Sequence, residues 1–179
     1  MTVASHTLSV LVENKPGVLA RISGLFARRG FNIDSLAVGE TDDPAVSRMT
    51  IVVSADGKPL EQVTKQLHKL INVLRIAELP RTTSVERELA LIKVGAPAGR
   101  RAEVLEIVEI FRAKVIDVDA EAVVVEATGA PDKVDALEQL LAPFGIVEMA
   151  RTGIVALARG GNGLKAPTLR PVQLPARTA

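Results

Sequence analysis

Apolar and polar positions in the first half of the chain follow an order that predicts a β-α-β-β-α-β unit. The segment from Thr7 to Val12 is short, apolar and rich in β-branched residues, which indicates a strand. Apolar residues at helical spacing follow it and indicate a helix from about Gly17 to Arg29. Gly30 suits the position just past this helix, where a left-handed backbone is common. The remaining predicted elements are strands over 31–38, 48–54 and 73–79 and a helix over 60–70.

The same order of elements returns in weaker form after a linker over 80–84. A strand is predicted over 89–94, and a helix follows whose apolar face carries Val104, Leu105, Val108 and Phe111. The last predicted elements are a hairpin over 115–127, a helix opened by Pro131, and strand segments at 146–147 and 153–157. The two halves therefore share one architecture.

The predicted fold class is α+β, with two ferredoxin-like β-α-β-β-α-β domains, each an antiparallel sheet with both helices on one face. The domains are predicted to cover 1–80 and 81–159. A tail over 160–179 contains several glycines and prolines and no acidic residue, so we expect it to be flexible.

One face of the first predicted sheet lacks helices and needs another cover. Three apolar or small strand residues are expected to point to that face: Val38, Val52 and Ser54. An uncovered face or edge of this kind is adhesive. We therefore expect the chain to form a homodimer or a higher homo-oligomer.

Composition narrows the function classes. Of the 179 residues, 47% are apolar but only 2% are aromatic, so the core must consist of Val, Ile, Leu and Ala. The net charge of +1 gives no general reason to expect nucleic acid or an anionic membrane as a partner. There is no cysteine, which excludes disulfides and thiolate chemistry and fits a reducing compartment. Because we find neither a signal-peptide pattern nor an apolar run of about 20 residues, the expected location is cytoplasmic.

The turn between the first strand and the first helix is the candidate ligand site. Pro16 suits the first helical position, since its missing N–H would have no partner there. Gly17 lets a ligand approach the backbone closely. The N–H groups of Gly17, Val18 and Leu19, together with the positive end of the helix dipole, suit a carboxylate. Asn14 adds a side chain that both donates and accepts, so the turn is suited to binding a small zwitterion.

These residues also carry a resemblance to a known family. Residues 5–80 resemble an ACT domain, the ferredoxin-like fold that senses amino acids. About 5–159 resembles the small regulatory subunit of acetolactate synthase (acetohydroxyacid synthase). The segments that carry the resemblance are 8–14, 16–19, 29–36, 41–44, 47–50 and 66–70 in the first half, and 85–89, 110–112, 116–118 and 151–153 in the second.

The resemblance implies a non-catalytic protein without catalytic residues or bound metal. It implies a large catalytic subunit as the partner, which the small subunit activates and makes sensitive to feedback inhibition by a branched-chain amino acid, usually valine. Thiamine diphosphate, magnesium and FAD are expected on that partner and no cofactor on this chain.

The resemblance further implies that the effector lies between the ACT domains of two chains. Asn14, Gly17 and Asn32 are then effector contacts by position, and the amides of Val18 and Leu19 extend the carboxylate site. An apolar wall for the aliphatic side chain is expected from Val18, Ile33 or Leu36. Because one methylene changes the binding free energy by only about 1–3 kcal/mol, leucine and isoleucine are expected to bind as well.

Other interpretations stay open at this point. One alternative is a stand-alone ACT-type amino-acid sensor that acts on a different enzyme. An RNA-binding sheet needs stacking aromatics, and the central strands offer Phe31 alone. A small enzyme needs a nucleophile, base or metal constellation, and the sequence contains none. Asn14 could instead cap the helix or shape the turn, and Asn32 could be a turn residue.

Overall fold

The computed structural model describes residues 4–55, 60–161 and 163–165. Its first half is the predicted β-α-β-β-α-β unit, with an antiparallel sheet in the strand order β2-β3-β1-β4. The elements are β1 (Ala4–Glu13), α1 (Val18–Arg28), β2 (Asn32–Glu40), β3 (Val46–Ala55), α2 (Leu60–Leu67) and β4 (Val73–Glu78). The turn that the sequence predicts between β3 and α2 lies outside the described residues.

Both helices of this half pack on one face of the sheet. Alternate residues of β1 and β3 point to that face, including Leu8, Val10, Met49 and Ile51. They meet one stripe of α1 and of α2, so the following residues form one buried core: Leu8, Val10, Val12, Val18, Ile22, Leu25, Phe26, Phe31, Met49, Ile51, Val53, Val63 and Leu67. The predicted ferredoxin-like arrangement is confirmed for this half.

The end of α1 confirms the role predicted for Gly30. Its φ is 68°, which is left-handed. The Gly30 N–H donates to the Ala27 carbonyl at 3.0 Å, and the Phe31 N–H donates to the Phe26 carbonyl at 3.1 Å. This pair of bonds is the Schellman motif, in which glycine at the left-handed position allows the last helical carbonyls to be satisfied. The chain then turns directly into β2.

The second half repeats the architecture and adds one strand. Its sheet has the order β6-β7-β5-β8, and β9 pairs with the first part of β5. The elements are β5 (Ser84–Gly95), α3 (Arg101–Ile110), β6 (Lys114–Val118), β7 (Ala122–Gly129), α4 (Pro131–Leu141), β8 (Ile146–Arg151) and β9 (Val155–Ala158), with a short 3-10 helix (Ala142–Phe144) before β8. The predicted ferredoxin-like fold is therefore confirmed in both halves.

Two details of this half differ from the prediction. β5 begins at Ser84, not at residue 89, because its first four residues pair with β9. On α3, Val104 and Val108 are buried, but Leu105 is 41% exposed, so its assignment to the buried face was wrong. Ile107 takes the place of Leu105, and the predicted Phe111 is confirmed on this face: both are partly buried and pack against the core. The four residues have the i, i+3, i+4, i+7 spacing of one helix face.

The second domain covers part of the helix-free face of the first sheet. Val52 lies opposite Thr7 on one side and Ser35 on the other, and it is only 5% exposed. The Thr7 hydroxyl donates to the Glu86 carboxylate at 2.8 Å, and the Ile154 N–H donates to the Ser35 hydroxyl at 2.8 Å. Part of the face for which we expected a second chain is thus covered within the chain.

Val38 does not point away from the helices as predicted. It pairs with Met49, whose side chain belongs to the core on the helix side. Residues paired directly across two strands share one face of a sheet, so Val38 lies on the helix side of β2. It is nevertheless 47% exposed, because β2 is at the edge of the sheet.

Candidate functional site

The β1–α1 connection contains a tight turn over residues 15–18. The Val18 N–H donates to the Lys15 carbonyl at 3.4 Å, and Gly17 has φ 82° and ψ −7°. These values define a type II turn, which favours proline second and glycine third, as Pro16 and Gly17 stand here. The prediction that Pro16 is the first helical residue was wrong, because α1 begins at Val18 and Pro16 directs the turn before it.

Gly17 is exposed, and the space beside it is open. A Cβ added to Gly17 would meet no atom within 4 Å in the described part of the chain. The left-handed φ, rather than crowding, therefore favours glycine at this position. Because α1 has no acidic residue in its first turn and no side chain that caps it, the positive end of the helix dipole is available to an external anion.

Asn14 does not cap α1, which decides one of the alternatives left open by the sequence. Its amide nitrogen donates to the Glu40 carboxylate and to the Pro44 carbonyl, both at 3.0 Å. Its backbone N–H donates to the Ala45 carbonyl at 2.8 Å. Asn14 therefore joins the β1–α1 turn to the β2–β3 turn. Both side-chain bonds use the nitrogen, and the side-chain oxygen accepts none from the described residues.

The apolar residues predicted for the site divide into two groups. The Val18 side chain is 4% exposed and lies in the core with the α2 residues, so it cannot wall a ligand site. Ile33 and Leu36 are half-buried and pack against the same core. Leu19, by contrast, is 42% exposed beside the turn. Among these residues, Leu19 therefore offers an apolar side chain to a ligand beside the turn.

Asn32 lies at the opposite end of the sheet from Asn14. It is the first residue of β2 and pairs with Ser54, which pairs in turn with Ser5. Asn14 follows Ser5 by nine residues along β1, which corresponds to about 30 Å at the rise of a strand. The side-chain nitrogen of Asn32 donates to the Asp34 carboxylate at 2.7 Å. One chain therefore does not bring the six predicted effector residues together.

Sequence reasoning missed Glu40. Its carboxylate lies beside Asn14, although 26 residues separate the two in the sequence, and no local pattern indicates the contact. Among the described residues, no group of three or more His, Asp or Glu side chains could hold a metal ion. In the same part of the chain, no helix combines the length and apolarity that crossing a bilayer requires.

Comparison with known proteins matches both halves of the chain. Residues 8–75 match the family model for the AHAS small subunit-like ACT domain, and residues 87–160 match the model for the small subunit of acetolactate synthase. The acetolactate synthase small subunit of Mycolicibacterium smegmatis is 59% identical over 90% of this chain and 95% of its own. The putative acetolactate synthase small subunit of Mycobacterium tuberculosis is 61% identical over 92% of this chain and 98% of its own.

A solved structure extends the similarity to three dimensions. The crystal structure of the acetolactate synthase small subunit from Thermotoga maritima has a TM-score of 0.82 and 46% sequence identity. The match covers 89% of this chain and 100% of that one. The shared architecture therefore includes both domains.

Proposed function

The chain belongs to the family of acetolactate synthase small subunits, and from that premise we propose that it regulates the catalytic subunit in response to a branched-chain amino acid. It activates a large, thiamine-diphosphate-dependent partner and makes that partner sensitive to inhibition, with valine as the main effector. Thiamine diphosphate, magnesium and FAD belong to the partner. The observation that carries the proposal is the open type II turn at Gly17 in front of an uncapped helix.

The turn offers complementary groups to a zwitterion. The dipole of α1 and the exposed backbone at Gly17 attract the carboxylate. The ammonium group is suited to the side-chain oxygen of Asn14, which accepts no hydrogen bond from the described residues, and to the Glu40 carboxylate beside it. The exposed side chain of Leu19 provides an apolar contact for the aliphatic group. No group here is arranged to break or form a covalent bond, so the site binds its ligand unchanged.

The second part of the site is proposed to come from another copy of the chain. β2 is an edge strand, and β3 is its strand neighbour in the described chain. If two β2 strands pair antiparallel about Leu36, the start of β2 in one chain, with Asn32, lies at the same end of the interface as Glu40 of the other chain. Because Glu40 is bonded to Asn14, the two asparagines that one chain holds about 30 Å apart then meet across the interface.

This arrangement explains how binding of the effector between two ACT domains changes the activity of the catalytic partner. A ligand held by two chains binds the dimer and not the monomer, so it stabilises one arrangement of the two domains. A coupling free energy of about 1–3 kcal/mol gives a usable change in the activity of the catalytic partner. The interdomain contacts between Thr7 and Glu86 and between Ser35 and Ile154 offer a path from the ACT domain to the second domain.

The proposal is tested by reconstitution and titration with the full chain. We expect the chain to increase the acetolactate-forming activity of its catalytic subunit, and added valine to remove that increase. Calorimetry of the chain alone should show saturable heat with valine and weaker heat with leucine and isoleucine. Amino-acid binding without any effect on the synthase would favour the stand-alone sensor that acts on another enzyme. Activation without binding of any of the three would contradict the effector role.

Val38→Asp tests the proposed β2–β2 interface. Val38 is 47% exposed on the edge strand, and in the antiparallel pairing about Leu36 it lies inside the interface between the two β2 strands. A carboxylate that is buried there without a partner is destabilising. We expect at least a tenfold weaker dimer by light scattering over a concentration series. Val38→Thr, which keeps the β-branched shape without charge, should remain dimeric; equal masses for both variants would exclude this interface.

A further inference from the structure

A groove between the two domains does not include the turn at Gly17 in its lining. Its volume is about 530 Å³, within the range of small-molecule sites, which are frequent between domains. The helix-free face of β2 and β3 forms one side of the groove, with Ala37 and Thr50. The paired strands β5 and β9 form the other side, with Val85, Val155 and Leu157. Val155 and Leu157 are 52% and 58% exposed, so the described chain leaves this apolar wall uncovered.

The groove also contains a half-buried cation, Arg48, that forms no ion pair within the described part of the chain. Arg48 donates to the Ser9 hydroxyl at 2.7 Å and to the Leu164 carbonyl at 3.1 Å, which are both neutral acceptors. Burial lowers the pKa of the Arg48 guanidinium, and the negative charge of Asp42 offsets this effect only in part. A second guanidinium in the groove, that of Arg87, donates to the Glu86 carbonyl. Neither arginine forms an ion pair with a carboxylate in the described part of the chain.

These features select a class of ligand. A guanidinium is planar and matches a carboxylate with two parallel hydrogen bonds. The aliphatic wall is short and contains no aromatic ring, which suits a small branched hydrocarbon rather than a nucleotide. We propose that the groove is a second small-molecule site, which binds a short branched aliphatic carboxylate with its carboxylate at Arg48 and its hydrocarbon against Val155 and Leu157.

Two kinds of compound share this chemistry, and the groove distinguishes them by charge. A 2-oxo acid needs only the guanidinium and the apolar wall. A 2-amino acid adds an ammonium group, which the carboxylates of Glu40 and Asp42 in the same groove can neutralise. Glu40 also accepts the hydrogen bond from Asn14, so a ligand in the groove shares one residue with the turn at Gly17.

Methyl NMR of the full chain tests the proposal. The chain, labelled at its valine and leucine methyl groups, is titrated separately with 3-methylbutanoate, 3-methyl-2-oxobutanoate and valine. We expect saturable shifts at Val85, Val155 and Leu157 with at least one of them, and the preferred compound identifies the source. Arg48→Gln should weaken this binding about tenfold to hundredfold, as the loss of a charged hydrogen bond requires. Arg75→Gln, on the exposed face of β4 outside the groove, should leave it unchanged.

Three results would overturn the proposal. The first is that the groove methyl signals do not shift with any of the three compounds. The second is that the Arg48→Gln variant binds the compound as tightly as the unaltered chain does. Alternatively, the shifts appear only after residues 166–179 are deleted, in which case the groove belongs to the chain's own C-terminal segment. Repeating the titration in Gly17→Asp separates the two sites, since the groove shifts should persist when binding at the turn is lost.

Discussion

Gly17→Asp is expected to abolish feedback inhibition by valine while the chain still activates its catalytic partner. The added carboxylate would lie at the point where the effector carboxylate is proposed to bind. Two like charges about 4 Å apart in a partly solvated site repel by about 4 kcal/mol, which corresponds to at least a hundredfold loss of affinity. The measurement is the valine inhibition curve of the reconstituted synthase, together with calorimetry of the isolated chain.

Gly17→Asn is the matched control, because it introduces nearly the same volume and the same backbone strain without the charge. Both side chains fit sterically, since the space beside Gly17 is open. Asparagine and aspartate are also the residues that adopt a left-handed φ most readily after glycine, at a cost of about 1 kcal/mol. The two variants should therefore have similar melting temperatures and different valine responses. If both lose feedback equally, backbone strain and not charge controls the site.

The turn at Gly17 could be predicted from the sequence because its structure is local. Proline followed by glycine specifies a type II turn within four residues, and the amphipathic pattern after it specifies the helix. The same holds for the Schellman end at Gly30 and for α4, whose start at Pro131 was predicted correctly. Only the position of Pro16 relative to the helix was wrong, by two residues.

The first part of β5 could not be predicted in the same way. Its buried face carries Ser84, Glu86 and Glu88, so the usual alternation of apolar inside and polar outside is absent. Those carboxylates are buried because they have distant partners: Thr7 for Glu86, and Arg151 for Glu88. Hydrogen bonds to Glu88 and Asp135 raise the pKa of Arg151. Such compensation arises only from the tertiary structure, which a local pattern does not contain.

The composition of the proposed effector site was also beyond a local pattern. Val18 has the spacing of an apolar residue near the turn, but the packing of α1 on the sheet turns its side chain into the core. Glu40 becomes a neighbour of Asn14 only through the register of β2, β3 and β1. The register also shows that Asn14 and Asn32 lie at opposite ends of one sheet, a fact from which the second large prediction follows.

Mixed dimers of Asn14→Ala and Asn32→Ala chains are expected to recover effector binding that neither variant has alone. In a dimer with two equivalent sites, each site combines Asn14 of one chain with Asn32 of the other. Each homodimer then has two defective sites and should bind valine about tenfold to hundredfold more weakly. The mixed dimer has one site with both defects and one site with none. Calorimetry on a dimer purified through two different tags should give one valine per dimer at the unaltered affinity.

The reciprocal pairing decides between a shared site and a site within one chain. A chain that carries both substitutions is combined with an unaltered chain. If the two asparagines act across the interface, both sites of this dimer contain one defect, and tight binding is lost. If both act within one chain, the unaltered chain keeps an intact site and binds one valine, whereas the first mixed dimer binds none. The two pairings therefore have opposite outcomes under the two arrangements. Because they contain the same number of substitutions, a general loss of stability cannot produce that reversal.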